Sequence, residues 1–184
     1  MDSHYFLALP LPVEEKRRIT RWKEEAKPYL SFKKWVHEKD YHITLFFLGS
    51  MNSHQVKKIS DAMSDMAAVA SPFIISGGGI GYFGPPDTPK VCWVGSRLNS
   101  RLAEIQAKIS AKCVELGFNE EKRQYRPHIT IARKWTGDNS FQKQVENVPE
   151  LYDFDWEIDH FVLYKTHLNQ EPKYEVLERF SLGG

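Results

Sequence analysis

Two tripeptides carry the chemistry this chain has to offer. His42-Ile43-Thr44 and His128-Ile129-Thr130 repeat the same residues in the same order, 86 positions apart. Seven histidines and six threonines in 184 residues give roughly 0.2 His-x-Thr tripeptides by chance, and the chain has two. Successive side chains on a strand alternate between its faces, so residues two apart share one. Each histidine therefore stands beside its threonine, while Ile43 and Leu45, like Ile129 and Ile131, turn to the core. If the two strands pack about a pseudo-twofold axis, two imidazoles and two hydroxyls converge on one small group. An imidazole titrates near neutral pH, so one can take a proton from an attacking water while the other gives one to a leaving oxygen. The hydroxyls can donate to non-bridging phosphoryl oxygens, where transition-state charge gathers. That is phosphoester chemistry.

Blander readings compete with it. A single histidine beside a threonine on a strand is ordinarily a polar pair on a half-buried surface, and only the matched second motif reverses that judgement. A zinc site needs a third His, Cys or carboxylate close by, and neither strand supplies one, so neither metal nor cofactor is expected. A nucleotide- or RNA-binding module whose histidines turn nothing over stays open.

The elements that must position these strands recur in order. Tyr5 to Leu9 reads as a strand, and Val13, Ile19, Trp22 and Ala26 as one face of a helix. A loop with Lys33, Lys34 and Trp35 leads into the first motif strand, which Gly49 ends. Ser53 is a candidate N-cap for a helix marked by Val56, Ile59, Met63 and Met66. Phe73 to Phe83 is a strand whose Gly77-Gly78-Gly79-Ile80-Gly81 run predicts a bulge or a close backbone approach. It lacks the Gly-Lys-Ser/Thr ending of a phosphate loop. Then the order repeats. Val91 to Val94 is a strand, Leu98 to Leu116 marks a helix closed by Gly117, and Tyr125 to Arg133 holds the second motif. A short helical stretch follows near Phe141 to Val145, then strands at about Glu157 to Thr166 and Tyr174 to Phe180. An offset of 86 carries Phe6 to Cys92 and Ile74 to His160. The expectation is one domain over residues 1–184 with an internal repeat of about 1–86 and 87–184.

Composition narrows the partners. Twenty-five basic against 24 acidic side chains leave a net charge of +1, too little for a protein that coats long nucleic acid. A small or end-directed substrate is expected. No apolar run is long enough for a membrane helix and the first residues lack a basic secretory start, so a cytoplasmic location and no membrane partner are expected. Cys92 and Cys113 read as buried, reduced thiols. No heptad is visible, which favours a monomer. His4, His37, His54, His160 and His167 have no partner motif and read as structural or surface residues.

His42-Ile43-Thr44-Leu45 with Phe47-Leu48-Gly49 behind it, and Arg126-Pro127-His128-Ile129-Thr130-Ile131-Ala132-Arg133, resemble the paired motifs of the two-histidine (2H) phosphoesterase superfamily. Its bacterial RNA 2′,3′-cyclic phosphodiesterase branch, long called 2′-5′ RNA ligase, matches best. The resemblance covers nearly the whole chain, including Phe6-Leu7-Ala8-Leu9-Pro10, Gly81-Tyr82-Phe83 and Phe161-Val162-Leu163-Tyr164. It implies an α+β fold of two pseudo-symmetric lobes, each antiparallel sheet plus helices, around a central cleft, with no metal. It implies hydrolysis of a 2′,3′-cyclic phosphate RNA end to a 2′-phosphate, with 2′-5′ ligation as the reverse reaction. His42 would be the proton donor and His128 the proton acceptor, with Thr44 and Thr130 beside them. Sibling activities on a small cyclic nucleotide or a 2′,5′-oligonucleotide stay open.

Arg133 would contact phosphate, although strict alternation puts it on the face opposite His128. Arg126, Tyr82 and Phe83 are further candidates for binding substrate. Lys33-Lys34-Trp35 and Lys122-Arg123-Gln124-Tyr125-Arg126 each precede a motif and mix cations with an aromatic ring, as RNA-holding segments do.

Overall fold

The computed structural model describes residues 3–183. Its elements run β1 (His4–Pro10), α1 (Val13–Ala26), β2 (Phe32–Trp35), a 3₁₀ turn (Glu38–Asp40), β3 (His42–Ser50), α2 (Ser53–Ala68), β4 (Phe73–Phe83) and β5 (Val91–Ser96). There follow α3 (Ser100–Glu115), β6 (His128–Trp135), α4 (Phe141–Val145), β7 (Phe154–Ile158), β8 (His160–Thr166) and β9 (Tyr174–Ser181). The strands form two antiparallel sheets, β3-β1-β8-β9 and β2-β6-β5-β4-β7. This is the expected α+β class, with a motif strand in each sheet.

The repeated order of elements does not map one half of the chain onto one sheet. In the first half the motif strand β3 pairs with β1, but the following strand β4 pairs with β5 of the second half. In return β8 pairs with β1. The first half thus lends β2 and β4 to the sheet of the second motif, the second half lends β8 and β9 to the sheet of the first, and one continuous core runs beneath both. The helices pack by spaced apolar faces: Ile59, Met63 and Ala67 on α2, and Leu102, Ile105, Ile109 and Cys113 on α3 are buried. Gly117, at φ 97°, closes α3 while the Phe118 amide reaches back to the Cys113 carbonyl at 3.1 Å.

Local chemistry moves a few boundaries. Asn52, not Ser53, caps α2, because Asn52 and Gln55 exchange side chain-to-backbone bonds in a capping box. The expected loop at Lys33-Lys34-Trp35 is strand β2, held because buried Phe32 packs its ring against Trp135 at 5.2 Å and Phe141 at 5.8 Å. The single strand expected at Glu157 to Thr166 is two, in different sheets: β7 alternates buried Phe154, Trp156 and Ile158 with acidic residues, and the chain changes sheet at Asp159. The glycine run is bulged as expected, with the β4–β5 register slipping between Gly77 and Ile80. Cys92 and Cys113 are buried free thiols. Among the described residues no helix is long and apolar enough to cross a membrane.

Candidate active site

The two motif strands share an irregularity that decides what faces the cleft. Leu7 pairs with Phe46 and Ala8 with Thr44, which leaves Leu45 as an extra residue in β3. Cys92 pairs with Ala132 and Trp93 with Thr130, which leaves Ile131 extra in β6. Leu45 and Phe46 are both buried, as are Ile131 and Ala132, so alternation resumes one step out of phase. Arg133 therefore returns to the face of His128 and Thr130, against the expectation from strict alternation. Phe47 returns in the same way to the face of His42 and Thr44. Phe47 and Arg133 are themselves 86 positions apart. Phe47 was missed as a site residue, although the offset that pairs the histidines also pairs it with Arg133.

Each histidine is oriented by the carbonyl two residues before it. His42 Nδ1 lies 2.7 Å from the Asp40 oxygen and His128 Nδ1 2.7 Å from the Arg126 oxygen, another pair 86 apart. A carbonyl can only accept, so Nδ1 carries the hydrogen and Nε2 is left for chemistry. His42 Nε2 also meets the Thr44 hydroxyl at 3.1 Å. The His42 ring is packed by Phe6 at 4.9 Å, Tyr174 at 5.2 Å and Tyr164 at 5.8 Å, and the His128 ring by Phe83 at 5.0 Å and Trp93 at 6.1 Å. Burial pushes the His42 pKa down to about 4, against the opposing pull of the Asp40 carbonyl. Burial also lowers the His128 pKa, helped by the charges of Arg133 and Arg126 and opposed by the Arg126 carbonyl. Both imidazoles are thus neutral at pH 7, and a phosphate anion between them would raise both pKa values.

His42, Thr44, His128, Thr130, Arg133 and Phe47 all line one cleft of about 340 Å³. Its other wall is fastened by Asp40, whose buried carboxylate accepts the backbone amides of Lys173 at 2.8 Å and Tyr174 at 3.2 Å. Four of the sequence candidates thereby meet as expected, and Arg133 joins them. Phe83 is half-buried, packs edge-on against the His128 ring and is not in the cleft lining. Tyr82 is not in the cleft lining, because it packs on Phe141 at 5.5 Å; nor is the Arg126 side chain, whose residue contributes its carbonyl. Tyr125 is a strut and not a platform for a base, its hydroxyl donating to the Thr44 carbonyl. His4 and His37, read from sequence as structural or surface residues, line the cleft.

Among the described residues no three His, Cys, Asp or Glu side chains gather as a metal site. A larger hollow of about 520 Å³ between α2 and α3 holds no histidine, and its rim carboxylates Glu104 and Glu115 are paired with Lys108 and Lys112.

Two lobes of antiparallel sheet that set two His-x-Thr strands around one cleft have the fold of the two-histidine phosphoesterases. E. coli LigT, solved in complex with 3′-AMP, superposes with a TM-score of 0.81 over all of both chains at 21% identity. An RNA 2′,3′-cyclic phosphodiesterase of Bacillus subtilis strain 168 is 37% identical over 97% of this chain and 96% of its own length. One from Geobacillus stearothermophilus is 38% identical over 99% of this chain, which spans 58% of that relative's length. The 2′-5′ RNA ligase superfamily model matches residues 10–170, and the chain belongs to that superfamily.

Proposed function

We propose that this protein is a hydrolase that opens the 2′,3′-cyclic phosphate at RNA ends, leaving a 2′-phosphate. The observation that carries the reading is the matched presentation of His42 and His128, each with Nδ1 held on a carbonyl so that Nε2 is the ring nitrogen left for proton transfer, around a cleft that also holds Thr44 and Thr130. The chain's similarity to the two RNA 2′,3′-cyclic phosphodiesterases supports it. Water attacks phosphorus as His128 Nε2 takes its proton; the bond from phosphorus to the 3′ oxygen breaks as His42 gives that oxygen a proton. Thr44 and Thr130 hydroxyls and the Arg133 guanidinium receive the charge that builds on the non-bridging oxygens. Exposed Phe47 offers a ring to the terminal base.

One chain supplies both histidines and both threonines, so the site is complete without a partner, which supports a monomer. Its two buried free thiols fit a reducing, cytoplasmic compartment. An assay in EDTA with a short oligoribonucleotide ending in a 2′,3′-cyclic phosphate tests the reading. The wild type should open the ring, whereas His42→Ala and His128→Ala should bind the oligonucleotide and leave it closed. Binding without turnover by the wild type would instead make it a nucleotide-binding module.

A further inference from the structure

Lys34 and Arg133 stand directly opposite one another on β2 and β6 and share a face. Lys173, from the segment just before β9, enters from the other sheet, and all three line the cleft with His42 and His128. Like charges directly opposite on neighbouring strands are destabilising unless something compensates them. The ion pairs among the described residues engage other lysines and arginines. Of the two carboxylates lining the cleft, Asp40 holds the amides of Lys173 and Tyr174, and Glu171 forms no ion pair with the three cations. The Lys34 ammonium beside it, then burial and the Arg133 charge, lower the Lys173 pKa, so the cations crowd one another.

A single reacting phosphate does not account for this corner. Lying between the histidines, it is served by the threonine hydroxyls and Arg133, which leaves two lysines without an anion. The pseudo-symmetry also fails here: β2 flanks β6, whereas β3 is the open edge of its sheet. Phe47 therefore has no strand beside it where its counterpart Arg133 has Lys34, and the cleft is aromatic on one side and cationic on the other.

We propose that Lys34 and Lys173 form a second phosphate subsite, which holds the phosphodiester one nucleotide upstream of the reacting end. The proposal rests on the phosphodiesterase reading above and makes the substrate an oligonucleotide in preference to a mononucleotide. Asp40 keeps the subsite in place by fixing the backbone of Lys173.

The test compares two diribonucleotides ending in a 2′,3′-cyclic phosphate, one with a normal internal phosphodiester and one with an uncharged methylphosphonate there. Wild type should favour the charged linkage in kcat/KM by about tenfold or more, as expected for a lost charge-assisted contact. Lys34→Met with Lys173→Met should bring that ratio to about one, and Lys34→Arg with Lys173→Arg should keep it. Both substrates are read on one preparation, so partial unfolding cancels from the ratio. A wild-type ratio near one, or a double methionine variant that keeps the wild-type ratio, would overturn the subsite alone. Failure of the wild type to open either substrate would overturn the phosphodiesterase reading and the subsite with it.

Discussion

The Tyr125 hydroxyl donates to the Thr44 carbonyl at 2.8 Å, joining the segment that leads into the second motif to the first motif strand. Burial raises the pKa of this phenol, which stays a donor throughout the working range. Tyr125→Phe leaves the carbonyl without that partner, and a loss of about 1 kcal/mol is expected in urea unfolding. Because the bond ties the segment entering one motif to the strand of the other, kcat should fall as well; unchanged kcat at reduced stability would make Tyr125 a packing residue only.

Removing either imidazole should lower kcat by about 10²–10⁴-fold, the usual range for general acid-base catalysis. The double variant His42→Ala, His128→Ala should be little slower than either single one, since the two act on one transition state. Multiplicative losses in the double variant would mean that the histidines work independently.

Activity needs one protonated and one neutral imidazole, which predicts a bell-shaped pH profile. Burial lowers both pKa values in the free protein, so kcat/KM should peak below pH 6.5. Bound phosphate raises both pKa values, so kcat should peak at higher pH than kcat/KM. A kcat/KM profile with one limb from about pH 3 to about pH 8 would count against paired histidines.

The same shift sets a stability trend. The unfolded chain binds a proton at His42 near pH 6.5 and the folded one only near 4, so stability present above pH 6.5 is lost as pH falls towards 4. His128 acts in the same direction. His42→Asn should show a smaller drop in Tm between pH 7 and pH 4.5 than the wild type; an equal drop would place the acid sensitivity elsewhere.

A Cβ on Gly81 would lie 2.1 Å from the Trp93 ring, which packs beside His128. Gly81→Ala must push that ring aside, at a cost of about 1–3 kcal/mol by overpacking. Thermal unfolding checks the cost, and a fall in kcat is expected as His128 loses its backing.

Much of this site was legible in the sequence because its logic is one of residue type and spacing. His42, Thr44, His128 and Thr130 follow from two matched tripeptides and the period of a strand, and the offset of 86 exposes the repeat of elements. The bulges at Leu45 and Ile131 were not legible, since they exist only as a slip between paired strands. With them went Phe47, and strict alternation turned Arg133 to the wrong face. Strand β2 is four residues long and half lysine, so no local pattern announced it. The exchange of β4 and β8 between sheets is a matter of long-range pairing that residue order does not record. Lys173 lines the cleft with its amide held by Asp40, 133 positions earlier, a contact that no local pattern records.

The most direct measurement is ³¹P NMR of 2′,3′-cyclic AMP and of a cyclic-ended oligoribonucleotide turned over in EDTA by the wild type, His42→Ala and His128→Ala. A 2′-phosphate from the wild type, absent with either variant, is the expected result. A 3′-phosphate product, no product from either substrate, or turnover that appears only when metal is added would contradict hydrolysis to a 2′-phosphate by the two histidines.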